Sequence, residues 1–152
     1  MPSTLALWSK LSPLPLGRWA FSKLVCFKAP YFASISPRVD ELARGRCIVR
    51  VKKRRKVHNH IGTVHAIAIC NMAEMAAGLL SDATMPPSHR WIPKGMTVEY
   101  LKKAATDLRA VGVIDMPAFE AAVAGGAGFD LPVKVSVTDT AEQEVFRAVI
   151  TM

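Results

Sequence analysis

The feature that most constrains the fold is an apolar run in the middle of the chain, "VHAIAICNMAEMAAGLL", residues 64–80. At about 3.6 residues per turn its apolar side chains point almost all the way round the helix axis. Such a helix is stable only if other structure wraps it. A chain of 152 residues with 51% hydrophobic content is long and apolar enough for one domain that does so.

The segments around this run have the patterns of strands. In "LPVKVSVTD" the residues Leu131, Val133, Val135 and Val137 share one face. We predict strands within 31–42, 45–54, 95–104, 106–115, 131–139 and 143–152, with a turn at 43–45 and a short helix within 116–130. The order is helix, two strands, long central helix and four strands. This order predicts an α+β fold with one mostly antiparallel sheet and a helix laid on it.

Residues 1–30 precede the first predicted strand. We expect residues 1–13 to be irregular and residues 16–29 to form a helix ended by Pro30, with Leu16, Ala20, Leu24 and Phe27 at helical spacing. We interpret 1–30 as an amphipathic helical extension packed on the domain 31–152. That interpretation is favoured over contact with a membrane surface. Two prolines and Lys10 interrupt the apolar stretch, so a signal peptide is not predicted.

The charge and cysteine content restrict the class of partner and site. A net charge of +8 suits an anionic partner, either a phosphorylated cofactor, a nucleic acid or an acidic membrane. The basic run 50–58 lacks neighbouring aromatic residues for base stacking, so nucleic acid is not the predicted partner. Cys26, Cys47 and Cys70 show neither disulfide nor zinc spacing. We therefore predict a reducing cytoplasm, no metal site and no separate cofactor.

Glu74 is the one carboxylate inside the predicted central helix. Asn71, Glu74, Gly78 and Ser81 fall close to one line along that helix, together with Ile67. This narrow polar stripe is either a solvated edge or a surface that faces a pocket. In the second case the carboxylate is poorly hydrated and is suited to act as a base.

The residues just before the helix are also suited to chemistry. Gly62 and Thr63 precede the run, and Thr63 is the predicted N-cap. The first helical N–H groups lack partners and attract a phosphate or a developing oxyanion. His65 and Glu74 are nine residues apart, which is about 180° round a helix. They can act on one substrate only if they come from two subunits.

The stretch "NHIGTVHAIAICNMAE" resembles the signature of hotdog-fold acyl-CoA thioesterases. It is most similar to the phenylacetic-acid-degradation type, with the pattern N-G-x-x-x-x-H-G-G-x-x-x-x-L-x-D/E. Residues 31–152 resemble an uncharacterised bacterial branch of that superfamily in element order. The resemblance implies a curved sheet around the central helix, a homodimer joined edge to edge, and acyl-CoA at the interface. It leaves open whether dimers pair into a tetramer.

The resemblance also implies roles for individual residues. Asn59 matches the amide that contacts the thioester region, and His65 matches the family's histidine. The backbone N–H of Ala66 is expected to polarise the thioester carbonyl. Glu74 is expected to act as base or nucleophile on a substrate held by the partner subunit. Further residues expected to contact substrate or the CoA phosphates are Gly62, Asn71, Gly78, Arg54, Arg55, Lys102 and Lys103.

Three departures from the family pattern keep other functions open. The usual "HGG" is "HAI" here, Gly78 replaces a Ser or Thr that orients water in many relatives, and "YLKKA" replaces "F-L-R-P-A". The leading hypothesis is hydrolysis of an acyl-CoA thioester. The alternatives are a hotdog protein that binds acyl-CoA or an acyl chain without hydrolysis, and a dehydratase-type lyase.

Overall fold

The computed structural model describes residues 3–152 and contains a single six-stranded sheet. The strand order is β1-β2-β4-β5-β6-β3, and every neighbouring pair is antiparallel. The elements are α1 (Thr4–Leu11), α2 (Gly17–Lys28), β1 (Arg38–Ala43), β2 (Arg46–Val51), α3 (Ala66–Thr84), β3 (Gly95–Tyr100), β4 (Leu108–Val113), α4 (Met116–Ala124), β5 (Pro132–Thr138) and β6 (Glu144–Thr151). The predicted α+β architecture is confirmed.

The central helix α3 packs across one face of this sheet. It contacts β1, β2, β4 and β5, and its Met72, Met75 and Leu80 are completely buried. The predicted inward face of β5 is buried as well. By length and composition α3 is also the one helix in the described part of the chain able to cross a membrane, and 61% of it is buried inside the domain. Burial against the sheet accounts for its apolar character.

The N-terminal residues are more ordered than the sequence predicts. The prediction of an irregular segment over 1–13 is wrong for the described part, because α1 occupies most of it. The Ser3 hydroxyl caps α1 by accepting from the Ala6 N–H at 3.2 Å. The buried ring of Trp8 meets Phe21 of α2 edge to face, with 5.0 Å between centroids. This aromatic pair holds the two helices together.

Helix α2 exposes the face that was predicted to be buried. Leu16 and Phe27 are 79% and 87% exposed, and α2 packs instead through Phe21 and Ser22. The Ser22 hydroxyl accepts from the buried Val39 N–H of β1 at 2.9 Å. Leu16 lies outside the helix in a left-handed conformation, with φ of 60°. The prediction is wrong because Trp8 and Val39, distant in sequence, decide which side of α2 docks.

The two edges of the sheet differ in how they are covered. At one edge, α2 lies on β1 and Ser22 supplies the acceptor for a strand N–H. At the other edge, β3 pairs only with β6, and five of its six residues are exposed. Within residues 3–152, then, β3 offers an open strand edge. Such an edge is available for pairing with another strand.

Candidate active site at the start of the central helix

A tight loop leads into α3 and is held by Asn59. The Asn59 Oδ1 atom accepts from the Ile61 and Thr63 N–H groups, both at 3.1 Å, and Nδ2 donates to Thr63 Oγ1 at 2.8 Å. Gly62 adopts φ of 76°, which favours glycine. The Asn59 side chain therefore builds the loop and keeps one N–H for another partner. Its predicted contact with a thioester stays a prediction.

His65, rather than Thr63, caps the helix. Its Nδ1 atom accepts from the Ile67 N–H at 3.1 Å, so the prediction of Thr63 as N-cap is wrong. Thr63 lies two residues before the cap position, since α3 begins only at Ala66, and its hydroxyl accepts from Asn59 instead. Since Nδ1 accepts, the neutral ring carries its proton on Nε2. The exposed His65 ring thus presents an N–H donor beside the first turn of α3.

The backbone around the helix start is fixed on both sides. The Val64 N–H donates to the Ala104 carbonyl at 2.9 Å, and the His65 N–H donates to the Val57 carbonyl at 2.8 Å. The next amide, that of Ala66, has no acceptor among residues 3–152. A free N–H at a helix N-terminus carries partial positive charge. The Ala66 N–H is therefore an unpaired donor held in a fixed position.

A cleft of about 200 Å³ opens beside the first turn of α3, where His65, Ile67 and Ala68 line it. It lies between two 3-10 turns, Pro30–Ser34 and Arg55–Val57, and the start of α3. Its lining residues are Tyr31, Ser34, Ile35, Lys56, Val57, His58, His65, Ile67, Ala68 and Asn71. Apart from His65 and Asn71, none of these was predicted as a site residue. Most belong to turns that meet α3 only in the folded chain.

Two buried polar atoms of the cleft residues have no hydrogen-bond partner within residues 3–152. They are His58 Nε2 and Asn71 Oδ1. Asn71 is only 4% exposed, and its Nδ2 group donates to Ser34 Oγ at 3.1 Å. Leaving a buried polar atom without a hydrogen bond costs about 1–3 kcal/mol, so a ligand or water is expected to hydrogen-bond to these two atoms. His58 has no role predicted from the sequence, because its proximity to Asn71 arises from the fold.

Glu74 lies two turns further along α3. Eight residues separate it from Ala66, which is about 12 Å along the helix axis. The carboxylate is partly buried and forms no ion pair with any residue of 3–152. Glu74 therefore cannot reach a carbonyl held by the Ala66 N–H of its own chain. Within one chain the structure brings together His65, Ala66 and Asn71, but not Glu74.

Gly78 lies under an aromatic ring. A Cβ atom at this position would lie 3.2 Å from Trp91 Cη2. The indole is held in place because its Nε1 donates to Asp82 Oδ1 at 2.8 Å. In this chain Trp91 fills the space next to position 78. Many members of the thioesterase family that the sequence resembles have a hydroxyl side chain at this position. The predicted contact of Gly78 with substrate stays a prediction.

A tyrosine from β3 reaches the same part of α3 and was not predicted. The Tyr100 hydroxyl lies 3.1 Å from Cys70 Sγ and donates to the Ala66 carbonyl at 3.4 Å. Burial, assisted by the contact with Cys70, raises the pKa of Tyr100 to about 12. The neutral phenol connects the open-edge strand to the first turn of α3. No sequence pattern relates residues thirty positions apart.

The four cations predicted to contact phosphate differ in whether other groups of the protein already bind them. The Arg54 guanidinium donates to the carbonyls of Ile35 and Ser36, and Lys102 Nζ donates to Gln143 Oε1 at 2.8 Å. Arg55 and Lys103 are exposed and have no side-chain partner in the described part of the chain. The backbone bonds from Val57 and Ala104 place both basic segments beside the start of α3. A phosphate there would meet free positive charge.

Comparison with known proteins places the chain among related folds. A structural-genomics crystal structure is 45% identical to it, with a TM-score of 0.81, over 97% of this chain and 95% of that one. A Pseudomonas aeruginosa protein named a probable thioesterase is 21% identical, with a TM-score of 0.76 over 91% and 93% of the two chains. A Streptococcus mutans protein solved with acetyl CoA is 24% identical, with a TM-score of 0.62 over 75% and 84%. A search of curated proteins gives no match.

The family profile that matches the chain is described as "Domain of unknown function (DUF4442)". The match covers residues 17–152, which include α2 and every strand of the sheet. The structural matches share a sheet wrapped around a long helix, which confirms the hotdog fold expected from the signature at 59–74. The chain therefore belongs to the DUF4442 family and has the hotdog fold.

Proposed function

We propose that the protein hydrolyses acyl-CoA thioesters to a carboxylic acid and CoA at a site shared by two subunits. The observation that carries the proposal is the free Ala66 N–H at the start of α3, where the neighbouring His65 and Ile67 line a cleft whose residues include unpartnered polar atoms. Relatives named as thioesterases, and one solved with acetyl CoA, support the substrate class. The free cations Arg55 and Lys103 beside the helix start suit the CoA phosphates.

The start of α3 would activate the thioester. The substrate carbonyl oxygen accepts from the Ala66 N–H, which stabilises the negative charge that develops on oxygen during attack. His65 Nε2–H lies on the same turn and is available as a second donor. The donors belong to a helix fixed by backbone bonds at residues 64 and 65, so little reorganisation is needed.

The carboxylate would come from the partner subunit. Pairing of two β3 edges about a two-fold axis extends the sheet and sets two α3 helices side by side in opposite directions. The middle of one helix then approaches the start of the other. Glu74 of the partner subunit deprotonates water, which attacks the carbonyl carbon, or attacks that carbon itself to form an anhydride that water opens. The C–S bond breaks, and the CoA thiolate leaves and takes up a proton.

The direct test is release of free thiol from a panel of acyl-CoA esters. Glu74→Gln keeps the size of the side chain and removes its basicity, so kcat is expected to fall by roughly 10²–10⁴. Glu120→Gln is the matched control, since Glu120 is exposed on α4. Light scattering should show the same oligomer for both. Full activity of the Glu74→Gln protein would exclude this mechanism.

A second candidate is binding of acyl-CoA without hydrolysis. The Trp91 ring over Gly78 favours it, because the ring takes the place where a water-orienting hydroxyl side chain would lie. Tight binding of acyl-CoA with no thiol release, across short and long acyl chains, would select this candidate over the first.

A further inference from the structure

Helix α2 and the short segments on either side of it expose several large apolar side chains. Fourteen large hydrophobic residues of the described chain are exposed, and six of them fall within residues 14–31. We call this set the α2 surface; it consists of Leu14, Leu16, Trp19, Leu24, Phe27 and Tyr31. Single exposed apolar residues are ordinary, but a cluster of this density marks a binding surface.

The α2 surface is regular along the helix. Trp19, Lys23 and Phe27 follow one another at intervals of four residues, so they form one line on the side opposite Phe21. Phe27 is 87% exposed and Trp19 is 57% exposed. The Lys23 ammonium lies 5.8 Å from the centre of the Trp19 ring. Two aromatic side chains and a cation thus lie on one exposed face of α2, while the opposite side packs on the domain.

The charge of this region has one sign. Residues 1–39 contain no Asp or Glu, and their cations are Lys10, Arg18, Lys23, Lys28 and Arg38. The three cations of α2 are exposed and form no ion pairs with residues 3–152. Each Lys or Arg near an anionic bilayer adds favourable attraction. The complementary partner is therefore negatively charged as well as able to accept apolar side chains.

A second copy of the chain does not meet these requirements. A two-fold interface over the α2 surface would bring the same cations together without a carboxylate from residues 1–39 to neutralise them. The open edge at β3 lies at the other end of the sheet from β1, on which α2 packs. Dimerisation through β3 would leave the α2 surface free.

We propose that the α2 surface binds the interface of an anionic lipid bilayer. Trp19, Leu24 and Phe27 enter the boundary between headgroups and acyl chains, and the Lys and Arg side chains meet lipid phosphates. Tyr31 belongs both to this surface and to the lining of the cleft beside His65. Docking therefore holds the cleft close to the membrane. The packing of α2 on its own domain is unaffected, because Phe21 and Ser22 on the opposite side of the helix provide it.

The test is co-sedimentation of the full chain with vesicles of phosphatidylcholine, with and without phosphatidylglycerol. Only the anionic vesicles should retain the protein, and added salt should release it. Each Lys near an anionic surface contributes about 1 kcal/mol of attraction. The double variant Lys23→Glu/Lys28→Glu should therefore weaken vesicle binding at least about thirtyfold. The matched control is Arg90→Glu/Lys134→Glu, with the same change of net charge on exposed cations elsewhere.

The apolar contribution has its own pair of variants. Phe27→Ser should lower vesicle binding, whereas Ile92→Ser, at a residue 73% exposed elsewhere, should not. Circular dichroism confirms that each variant is folded. Absence of binding to anionic vesicles, or equal losses in the control variants, would overturn the proposal. So would a smaller oligomer for Phe27→Ser in lipid-free solution, since the α2 surface would then be a subunit interface. Substrate is absent throughout, so the result does not depend on thioesterase activity.

Discussion

The substitution Ala66→Pro isolates the contribution of one backbone N–H. Ala66 is the first residue of α3, where proline is well accepted because the N–H has no helical partner. The residue before it, His65, has ψ of 138°, which is the extended conformation that a following proline requires. The variant should therefore fold with unchanged stability and keep the His65 cap. What it loses is the donor proposed to hold the carbonyl oxygen.

The size of the effect follows from removal of one oxyanion donor. Such a loss lowers kcat about 10²–10³-fold, which corresponds to about 2.7–4 kcal/mol of transition-state stabilisation. Thiol release from acyl-CoA measures kcat, and urea unfolding measures stability. A substitution that acts through misfolding would lower both. One that acts on the proposed donor lowers kcat alone.

Mixing Ala66→Pro with Glu74→Gln subunits tests whether the site is shared. In a mixed dimer, one site combines both defects and the other combines the intact Ala66 N–H with the intact Glu74. Random exchange should therefore restore about a quarter of the wild-type activity, because half of the dimers are mixed and each has one intact site. If each site lay within one subunit, mixing the two variants would restore no activity. Retention of full activity by Ala66→Pro alone would refute the assignment of its N–H.

Three further predictions concern stability and reactivity. Ser22→Ala leaves the buried Val39 N–H without an acceptor and should cost about 1–3 kcal/mol in urea unfolding, whereas exposed Ser9→Ala should cost little. Burial raises the pKa of the Cys47 thiol, so iodoacetamide at pH 8 should label it only after unfolding, as mass spectrometry would show. The pKa of Tyr100 is raised from 10.0 to about 12, so the neutral phenol stabilises the folded state at pH values below 10. This contribution to the free energy of unfolding is lost as the pH rises through about 12. Wild type should therefore lose stability more steeply than Tyr100→Phe above pH 10; parallel curves would contradict this.

The sequence by itself determined the order of the strands and the central helix, and the separation of His65 and Glu74 around that helix. Both are local properties. Alternation in 131–137 specifies a strand with one buried face, and the continuous apolar run specifies a helix that must be wrapped. The angular separation of His65 and Glu74 follows from helix geometry alone, so a site shared by two subunits is a prediction made from the sequence.

Only the tertiary structure decided which groups meet. Thr63 is a better cap than His65 by residue type, but α3 begins at Ala66, so His65 takes the cap position and the Thr63 hydroxyl binds Asn59. The cleft forms because turns near residues 31 and 57 close on α3 and leave Asn71 Oδ1 unpaired. Such contacts join residues far apart in the chain, and no periodic pattern encodes them.

The orientation of α2 shows the same limit. Its spacing of apolar residues is satisfied by two opposite faces, one with Phe21 and one with Phe27. Trp8 and the Val39 N–H, which lie on other elements, select the first face and leave the second exposed. Periodicity specifies that a helix has an apolar side; the packing partners available in the folded chain determine which side is buried.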